Sequence, residues 1–517
     1  MNEFVLSFDI GTSSVKAAAV STDGRLLSAA VRPIRLFTLR PGWNEQDPEE
    51  LWSACCETAR AVTAAQEPGS QLRGIAFGTY WKGIIPVDKE GRLLHRNIPW
   101  CDGRAEAQAD FLNRELGVSC FNSIAYWPKL LWLKENLPEI YEKADLIHEA
   151  GSYLKFRACG KCASDYDNNF ITTTEPMVQE VYDKIIDVCG LDRRKFAPLV
   201  MPYDPVGTVT KQAAEEMGVP EGTPVFGGTT DMASVATGAG CSLPGQGHLY
   251  MGTAGWIGAA IKTDPAYPFF LPYYPGISLA ISGFRSAGAL YAWALGKFYN
   301  DTGIKDIYSV SGKEISTVPA GSRGLLTLPW INGENPPRHP ASRAAFLHAE
   351  AYHTRADFAA SVMESISFSL REARENVYIS GFSPYPQIGT VLIPDPEVLR
   401  SSETPHFDVI RAVGGCANSD TWMQRTASIL NTPIEVPESP QHAAAIGVAC
   451  CAMIGLGVCD SFADVSRQIR IAKRFEPVPE EAALYDELYT LRKEAEHRLE
   501  DVCGRLAGLC PPEKTDG

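Results

Sequence analysis

The chain has no apolar run long enough to cross a bilayer, which argues against a helical membrane span. It does not open on a basic stretch followed by a long apolar run, so no secretory leader is expected. Basic residues are outnumbered, with 47 Lys and Arg against 62 Asp and Glu and a net charge of −15. A nucleic-acid binder needs a basic face, so that partner class is disfavoured. No Gly-x-x-x-x-Gly-Lys-Ser/Thr segment occurs, which disfavours a P-loop with phosphate at a helix N-terminus. Cysteine is not scarce, at 14 residues, but its placement is not that of a disulfide framework. Cys55-Cys56 and Cys450-Cys451 are adjacent pairs in helix-like segments, a poor geometry for bridging within the pair. Cys159-Gly-Lys-Cys162 has metal-knuckle spacing without a second Cys or His pair to complete a zinc ribbon. Reduced thiols, no membrane and a cytoplasmic location are the expectation. At 517 residues, with 45% apolar and 21% charged, the chain reads as a soluble globular protein of two domains.

What is present is concentrated first near the N-terminus. Phe4 to Lys16 reads Phe-Val-Leu-Ser-Phe-Asp-Ile-Gly-Thr-Ser-Ser-Val-Lys. An apolar run ends at Asp9, a tight turn passes through Gly11, and a second β-like run starts at Val15. A third, Arg25 to Val31, follows the Asp23-Gly24 hairpin signal. Gly11 lets the backbone approach an anion, while Thr12, Ser13 and Ser14 add hydroxyl donors. Asp9 at the strand end suits a hydrated Mg²⁺, which takes one or two carboxylates plus phosphate oxygens. An ordinary hairpin with a polar turn is the competing reading. Far along the chain, His248-Leu-Tyr-Met-Gly-Thr-Ala-Gly-Trp-Ile-Gly258 repeats the pattern of apolar run, Gly-Thr turn and apolar run. Two such units, one in each half, suggest a duplicated architecture clasping one polyphosphate.

The intervening elements are legible in outline. Asp47-Pro48-Glu49-Glu50 announces a helix, with Asp47 as cap, Pro48 in the first turn and Glu50 closing a capping box. Arg73 to Val87 reads as two strands broken at Gly78 to Gly83, and Lys129 to Asn136 as a helix stopped by Pro138. Pro224 to Gly240 reads as strand, Gly-Gly loop and a helix of small residues (Ala233, Ser234, Ala236, Gly238) suited to close packing. The second Gly-Thr turn follows, so the domains divide near Pro244, into 1–244 and 245–508, with a disordered tail over 509–517. Phe358, Val362, Ile366 and Leu370 mark one buried helix face. Arg411 to Gly415 reads as a strand entering a Gly-Gly turn, and Gly381 to Pro405 as a long loop.

The paired Gly-Thr turns resemble those of the actin, hexokinase and sugar-kinase superfamily. In order, Asp9 to Lys16, Gly42 to Trp52, Trp100 to Arg104, Lys129 to Asn136, Gly227 to Asp231, Met251 to Gly255, Asp357 to Glu364 and Gly414 to Ser419 resemble the FGGY carbohydrate kinases, from about Phe4 to about Arg492. The resemblance implies two actin-like (ribonuclease H-like) α/β domains with a central cleft, and an ATP-dependent, Mg²⁺-requiring sugar kinase assembled as a homodimer. It implies Asp231 as catalytic base, although Asp231 also stands where it would cap the helix near Met232. It implies phosphate contacts at Gly11, Thr12, Ser13, Lys16 and Thr253, with Asp9 at the metal. Gly288, Gly415, Asn418 and Ser419 would line the nucleotide side. Trp100, Asp102 and Arg104 would face the sugar, with core burial of Trp100 an equal alternative.

Departures fall where specificity is set. Xylulokinases usually carry Gln-Met-His-Gly in the substrate loop; this chain has Tyr80-Trp81-Lys82-Gly83, so Trp81 would shrink the pocket and Lys82 adds a full charge. The Gln-Arg-Glu of glycerol kinases is absent. His348 stands where the second family signature has glycine, and Gly381 to Pro405 looks like an insertion. A ketopentose such as xylulose is the expected substrate, with a sugar acid as alternative. The rivals from other classes are a non-catalytic sugar-binding relative and an actin- or chaperone-like ATPase.

Overall fold

Alternating apolar residues and two tight turns produce β1 (Glu3–Ile10), β2 (Ser14–Ser21) and β3 (Leu26–Pro33), an antiparallel meander. The computed structural model describes residues 2–263, 271–300, 306–331, 333, 342–380 and 406–509. Beside β1 lies β4 (Gln71–Thr79), parallel, followed by β6 (Pro224–Phe226) and then antiparallel β5 (Pro205–Thr208). Short β7 (Thr229–Thr230) also pairs with β4, giving the order β5-β6-β4-β1-β2-β3 plus β7.

The second half builds the same thing again. β8 (Gly247–Met251), β9 (Gly255–Lys262) and β11 (Ile277–Phe284) form an antiparallel meander, with β10 (Leu271–Tyr274) beyond it. On the other side β8 pairs parallel with β12 (Ile410–Val413), β12 parallel with β13 (Ile434–Pro437), and β13 antiparallel with β14 (Ile471–Phe475). Meander, parallel pair, parallel pair, antiparallel edge: the two sheets share one topology. These are the two actin-like domains.

Helices cover both sheets. α1 (Pro48–Ala64) buries Leu51, Cys55 and Val62 as its spacing requires, and Asp47 caps it by accepting the Glu49 N–H. Glu50 does not close a capping box, because its carboxylate turns outward to the Arg35 guanidinium at 3.1 Å. α2 (Tyr126–Asn136) and α3 (Ala150–Cys159) are further helices of the first half. α4 (Asp231–Gly238) is followed, far along the chain, by α5 (Gly288–Phe298), α6 (Ile307–Ile315), α7 (Arg355–Ser380), α8 (Asp420–Leu430), α9 (Ala443–Gly455) and α10 (Pro479–Leu509).

Two helices depart from the pattern expected of them. The first half of α7 is buried on nearly every side, not on one face, because it runs beneath the second sheet with α5 and α8 packed on it. Its Ser361, Ser365 and Ser367 satisfy their hydroxyls on the carbonyls of Phe358, Val362 and Met363, one turn back. α9 lies beyond the second Gly-Thr turn, yet it packs on the first sheet. Ile446, Val448 and Met453 meet Val5, Val20, Ala76 and Phe226, each such side chain contributing about 1.5–3 kcal/mol. α9 crosses α4 backbone to backbone. A Cβ on Gly238 would collide with the Ala443 carbonyl and one on Gly447 with the Ser234 carbonyl, which explains the run of small residues.

Residues 381–405 and the tail from 510 onward lie outside the described residues. All the cysteines among the described residues are free thiols, and no helix there is long and apolar enough to cross a membrane. His348, standing where glycine was expected, holds φ 60°, the left-handed region that favours glycine.

Candidate active site

The carboxyl ends of three neighbouring parallel strands set the first wall. Asp9 lies in register with Gly78, Ile10 with Thr79, and Thr230 with Thr79. The Asp9–Ser14 turn, the Tyr80–Gly83 loop and Asp231 therefore emerge side by side. Lys16 faces Asp9 across the hairpin, and its ammonium meets the Asp9 carboxylate at 3.1 Å. Gly11 donates its N–H to the Ser14 carbonyl at 2.9 Å, closing the turn, while Ser13 is exposed. The Thr12 hydroxyl accepts the Trp100 indole N–H at 2.9 Å. Trp100 is thus a partly exposed neighbour of the first turn rather than core. Gln46 binds the Thr12 carbonyl at 2.8 Å, and the Tyr80 hydroxyl donates to Gln46 and accepts from Asn97, linking the turn to the Tyr80–Gly83 loop.

Asp231 is the first residue of α4, and the cap is its neighbour: the Thr230 hydroxyl accepts the Ala233 N–H. The capping alternative for Asp231 is corrected, since that post is taken. One Asp231 oxygen accepts the Met232 N–H at 2.9 Å. Burial, reinforced by the Asp9 and Asp167 carboxylates, pushes Asp231 up to about 7.

In the Tyr80–Gly83 loop, Lys82 holds φ 63°, uncommon for a residue with a side chain. Its ammonium lies 4.0 Å over the Trp81 ring, which in turn packs on Phe170. No carboxylate pairs with Lys82 among the described residues, and burial brings its ammonium down to about 8. Beneath the loop, the fully buried Lys129 donates to the carbonyls of Lys82 and Pro99, at 2.9 and 2.7 Å. Burial, and then the Lys82 charge, bring Lys129 down to about 7.

Asp102 and Arg104 do not reach the open wall. Both are buried and bond each other, Arg104 Nε to Asp102 at 2.8 Å and Nη2 to Glu45 at 3.1 Å. The guanidinium is sandwiched between Trp43 and Trp132, 4.4 and 4.8 Å from their ring centres. Asp102 spends its remaining capacity on the Asn44 N–H, so the expectation that the pair meets the sugar is corrected: it braces the wall from behind.

The second wall is a cavity of about 850 Å³ at the ends of β8 and β12. Thr253, Gly288, Gly415, Asn418 and Ser419 all line it, with Tyr291 and Trp422 as aromatic surface. A Cβ on Gly288 would collide with the Gly252 carbonyl, so glycine is what lets α5 start against the turn. Ser419 also caps α8, accepting the Trp422 N–H at 3.4 Å. The walls face each other: the Tyr250 phenol, pushed up mainly by burial, also feels the charges of Asp9 and Asp231. Likewise His442, ahead of α9, is lowered by burial and then by the Lys16 charge.

Twin sheets of this topology with a cleft between their strand ends define the actin-like class of two-domain proteins. The solved gluconate kinase from Lactobacillus acidophilus shares the fold, at a TM-score of 0.79 with 21% identity over 98% of this chain and 100% of that one. The chain belongs to the FGGY family of carbohydrate kinases: the N-terminal domain model matches residues 4–238 and the C-terminal domain model residues 248–456. It is an ATP-dependent sugar kinase. Among curated relatives, the xylulose kinase of Lactococcus lactis subsp. lactis (strain IL1403) is 26% identical, covering 97% of this chain and 98% of its own. The L-xylulose/3-keto-L-gulonate kinase of Escherichia coli (strain K12) is also 26% identical, over 91% and 92%.

Several residues of the site carry no signal in the sequence. Tyr250 passes as a strand residue, and Gln46 and Asn97 as surface polar positions. Asp167 and Asn168 sit in a polar run, Asp165-Tyr-Asp-Asn-Asn169, whose density of side-chain acceptors was the available clue.

Proposed function

We propose that the enzyme transfers the γ-phosphoryl group of ATP to a hydroxyl of a ketopentose such as xylulose, with Asp231 as general base. The observation that carries this is Asp231 itself, partly buried at a strand edge, beside Asp9 and across from the second Gly-Thr turn. A carboxylate near pH 7 accepts the proton of the sugar hydroxyl as its oxygen bonds the γ-phosphorus and the bond to the β-phosphate oxygen breaks, releasing ADP. Thr12, Ser13 and Lys16 on one side, and Thr253 on the other, supply donors and charge for the polyphosphate. The 850 Å³ cavity takes the nucleoside, with Gly288 and Gly415 leaving room for a planar base.

Asp9 fits a hydrated Mg²⁺: one oxygen is held by Lys16, the group opens to the cleft, and an ion that keeps its waters needs one or two carboxylates. When bound, that ion would neutralise charge on the β- and γ-phosphates. The xylulose kinase relative supports the ketopentose. Cytoplasmic residence rests on the unpaired cysteines of the described residues and a homodimer on the family resemblance, and sedimentation of the purified enzyme tests the latter.

Lys82 favours a second reading, a sugar acid, because it is a half-buried cation without a carboxylate partner among the described residues. The E. coli relative, whose name includes 3-keto-L-gulonate, supports it. The test is ADP release with Mg-ATP against ketopentoses, pentitols, glycerol and aldonic acids, with Asp231→Asn alongside. One strong acceptor, lost in Asp231→Asn, is expected; a mutant that keeps its activity overturns the base assignment. Lys82→Met should raise KM about tenfold or more for an acid and little for a neutral sugar, as a lost charge-assisted bond of 1.5–3 kcal/mol requires. Equal effects on both refute the sugar-acid reading.

A further inference from the structure

Between the base turn and the substrate loop runs a buried strap that the proposed chemistry does not use. One oxygen of Asp167 accepts three hydrogen bonds: from the Thr229 hydroxyl at 2.7 Å, the Thr230 N–H at 2.8 Å and the Thr230 hydroxyl at 2.7 Å. Thr230 is the cap of α4, and Asp231 follows it. The next residue, Asn168, accepts the Lys82 N–H at 3.2 Å, and its own N–H closes on the Asp165 carbonyl at 3.0 Å. Asp165 in turn pairs with Lys155, which donates to the Gly227 carbonyl at 2.9 Å, at the other end of the Gly-Gly loop. Asp167 and Asn168 are 5% and 3% exposed. Asp167 Oδ1 and Asn168 Nδ2 have no partner among the described residues.

We propose that Asp167 and Asn168 are positioning residues with separate tasks: Asp167 fixes the turn that presents Asp231, and Asn168 fixes the loop that receives the sugar. This rests on Asp231 being the base. A misplacement of about 1 Å at a reacting group costs on the order of 100-fold. Asp167→Ala should therefore lower kcat about 100-fold with KM for the sugar within about threefold. Asn168→Ala should raise that KM about tenfold with kcat within about threefold. Asp167→Asn, which keeps one acceptor oxygen for the Thr230 N–H, should recover most of the loss, to within about tenfold of the native kcat.

The measurement is steady-state kinetics with the fastest acceptor of the sugar panel, together with thermal melting of each variant. If no sugar turns over, water serves as acceptor and the Asp167 arm decides alone. Should Asp167→Ala fail to fold, Asp167→Asn carries the test, with a lowered kcat at unchanged KM expected. Parallel changes of kcat and KM in both variants, or a native kcat in the Asp167 variants, overturn the proposal. Asp231→Asn is run beside them. If it stays active, the base reading has failed; if it is dead while the Asp167 variants are native, only the strap proposal has.

Discussion

The two Gly-Thr turns occupy the same place in the two sheets and have been filled with opposite chemistry. In the first, the residues facing each other one step before the turn are Asp9 and Lys16, an ion pair. In the second, the corresponding facing pair is Tyr250 and Trp256, stacked with centroids 4.0 Å apart. The first turn is therefore a charged lip and the second an apolar one. That difference divides the labour. Carboxylates gather on the first wall, where burial and then the charges of Asp9 and Asp167 raise the proton affinity of Asp231. The second wall has glycines, hydroxyls and aromatics around a cavity that suits a nucleoside. A duplicated sheet supplies the clamp, and only one copy needs to be reactive.

The largest test of that division is Asp231→Asn. It should lower kcat by roughly 100- to 10,000-fold while leaving KM for ATP within about twofold, since the cavity proposed for the nucleoside lies on the other wall. Its companion is pH. Asp231 accepts a proton only when ionised, so log(kcat/KM) should rise with unit slope below pH about 7 and level above it. A limb in the ordinary carboxylate range near 4 would mean that burial does not set the base.

A smaller, opposite effect is expected from Gly288→Val. The side chain would meet the Gly252 carbonyl, and overpacking of this kind costs about 1–3 kcal/mol, or roughly 5- to 150-fold. That loss should appear in KM for ATP, measured with the sugar saturating, and not in KM for the sugar. Equal losses for both substrates would break the comparison between walls.

Much of this was readable in the chain, and the reason is locality. Strand, turn and strand around Gly11 and around Thr253 are written within about a dozen residues each, so the duplicated architecture was readable from short-range chemistry, while the kinase family came from a resemblance carried by the order of several motifs. The place of Asp231 beside Asp9 was implied by the resemblance, and the parallel registers of β1 and β7 with β4 bring the two strand ends together. Asp102 and Arg104 misled because a side chain's direction is decided from afar: Trp43, Glu45 and Trp132 turn the guanidinium inward. The role of Asp167 was not legible for a similar reason, its partners Thr229 and Thr230 lying more than sixty residues away. The all-round burial of α7 also depends on what packs beneath the sheet, and spacing in one helix reports only its own face.

The smallest effect is the one that sharpens the comparison most. Tyr250 lies close enough to Asp9 and Asp231 for their charges to act on its phenol, and so it stands across from the reacting groups. Its hydroxyl nonetheless makes no hydrogen bond among the described residues, and its ring is stacked on Trp256. If the second wall contributes shape and not chemistry, Tyr250→Phe keeps what matters. Both kcat and KM should stay within about twofold, the range of a substitution that removes no partner. Tyr250→Ala, by contrast, forfeits an aromatic pair and a partly buried ring and should lower the melting temperature, with a loss of about 1–3 kcal/mol. A 100-fold fall in kcat for Tyr250→Phe at native stability would show a proton donor on the second wall, and the two turns would then share the reaction.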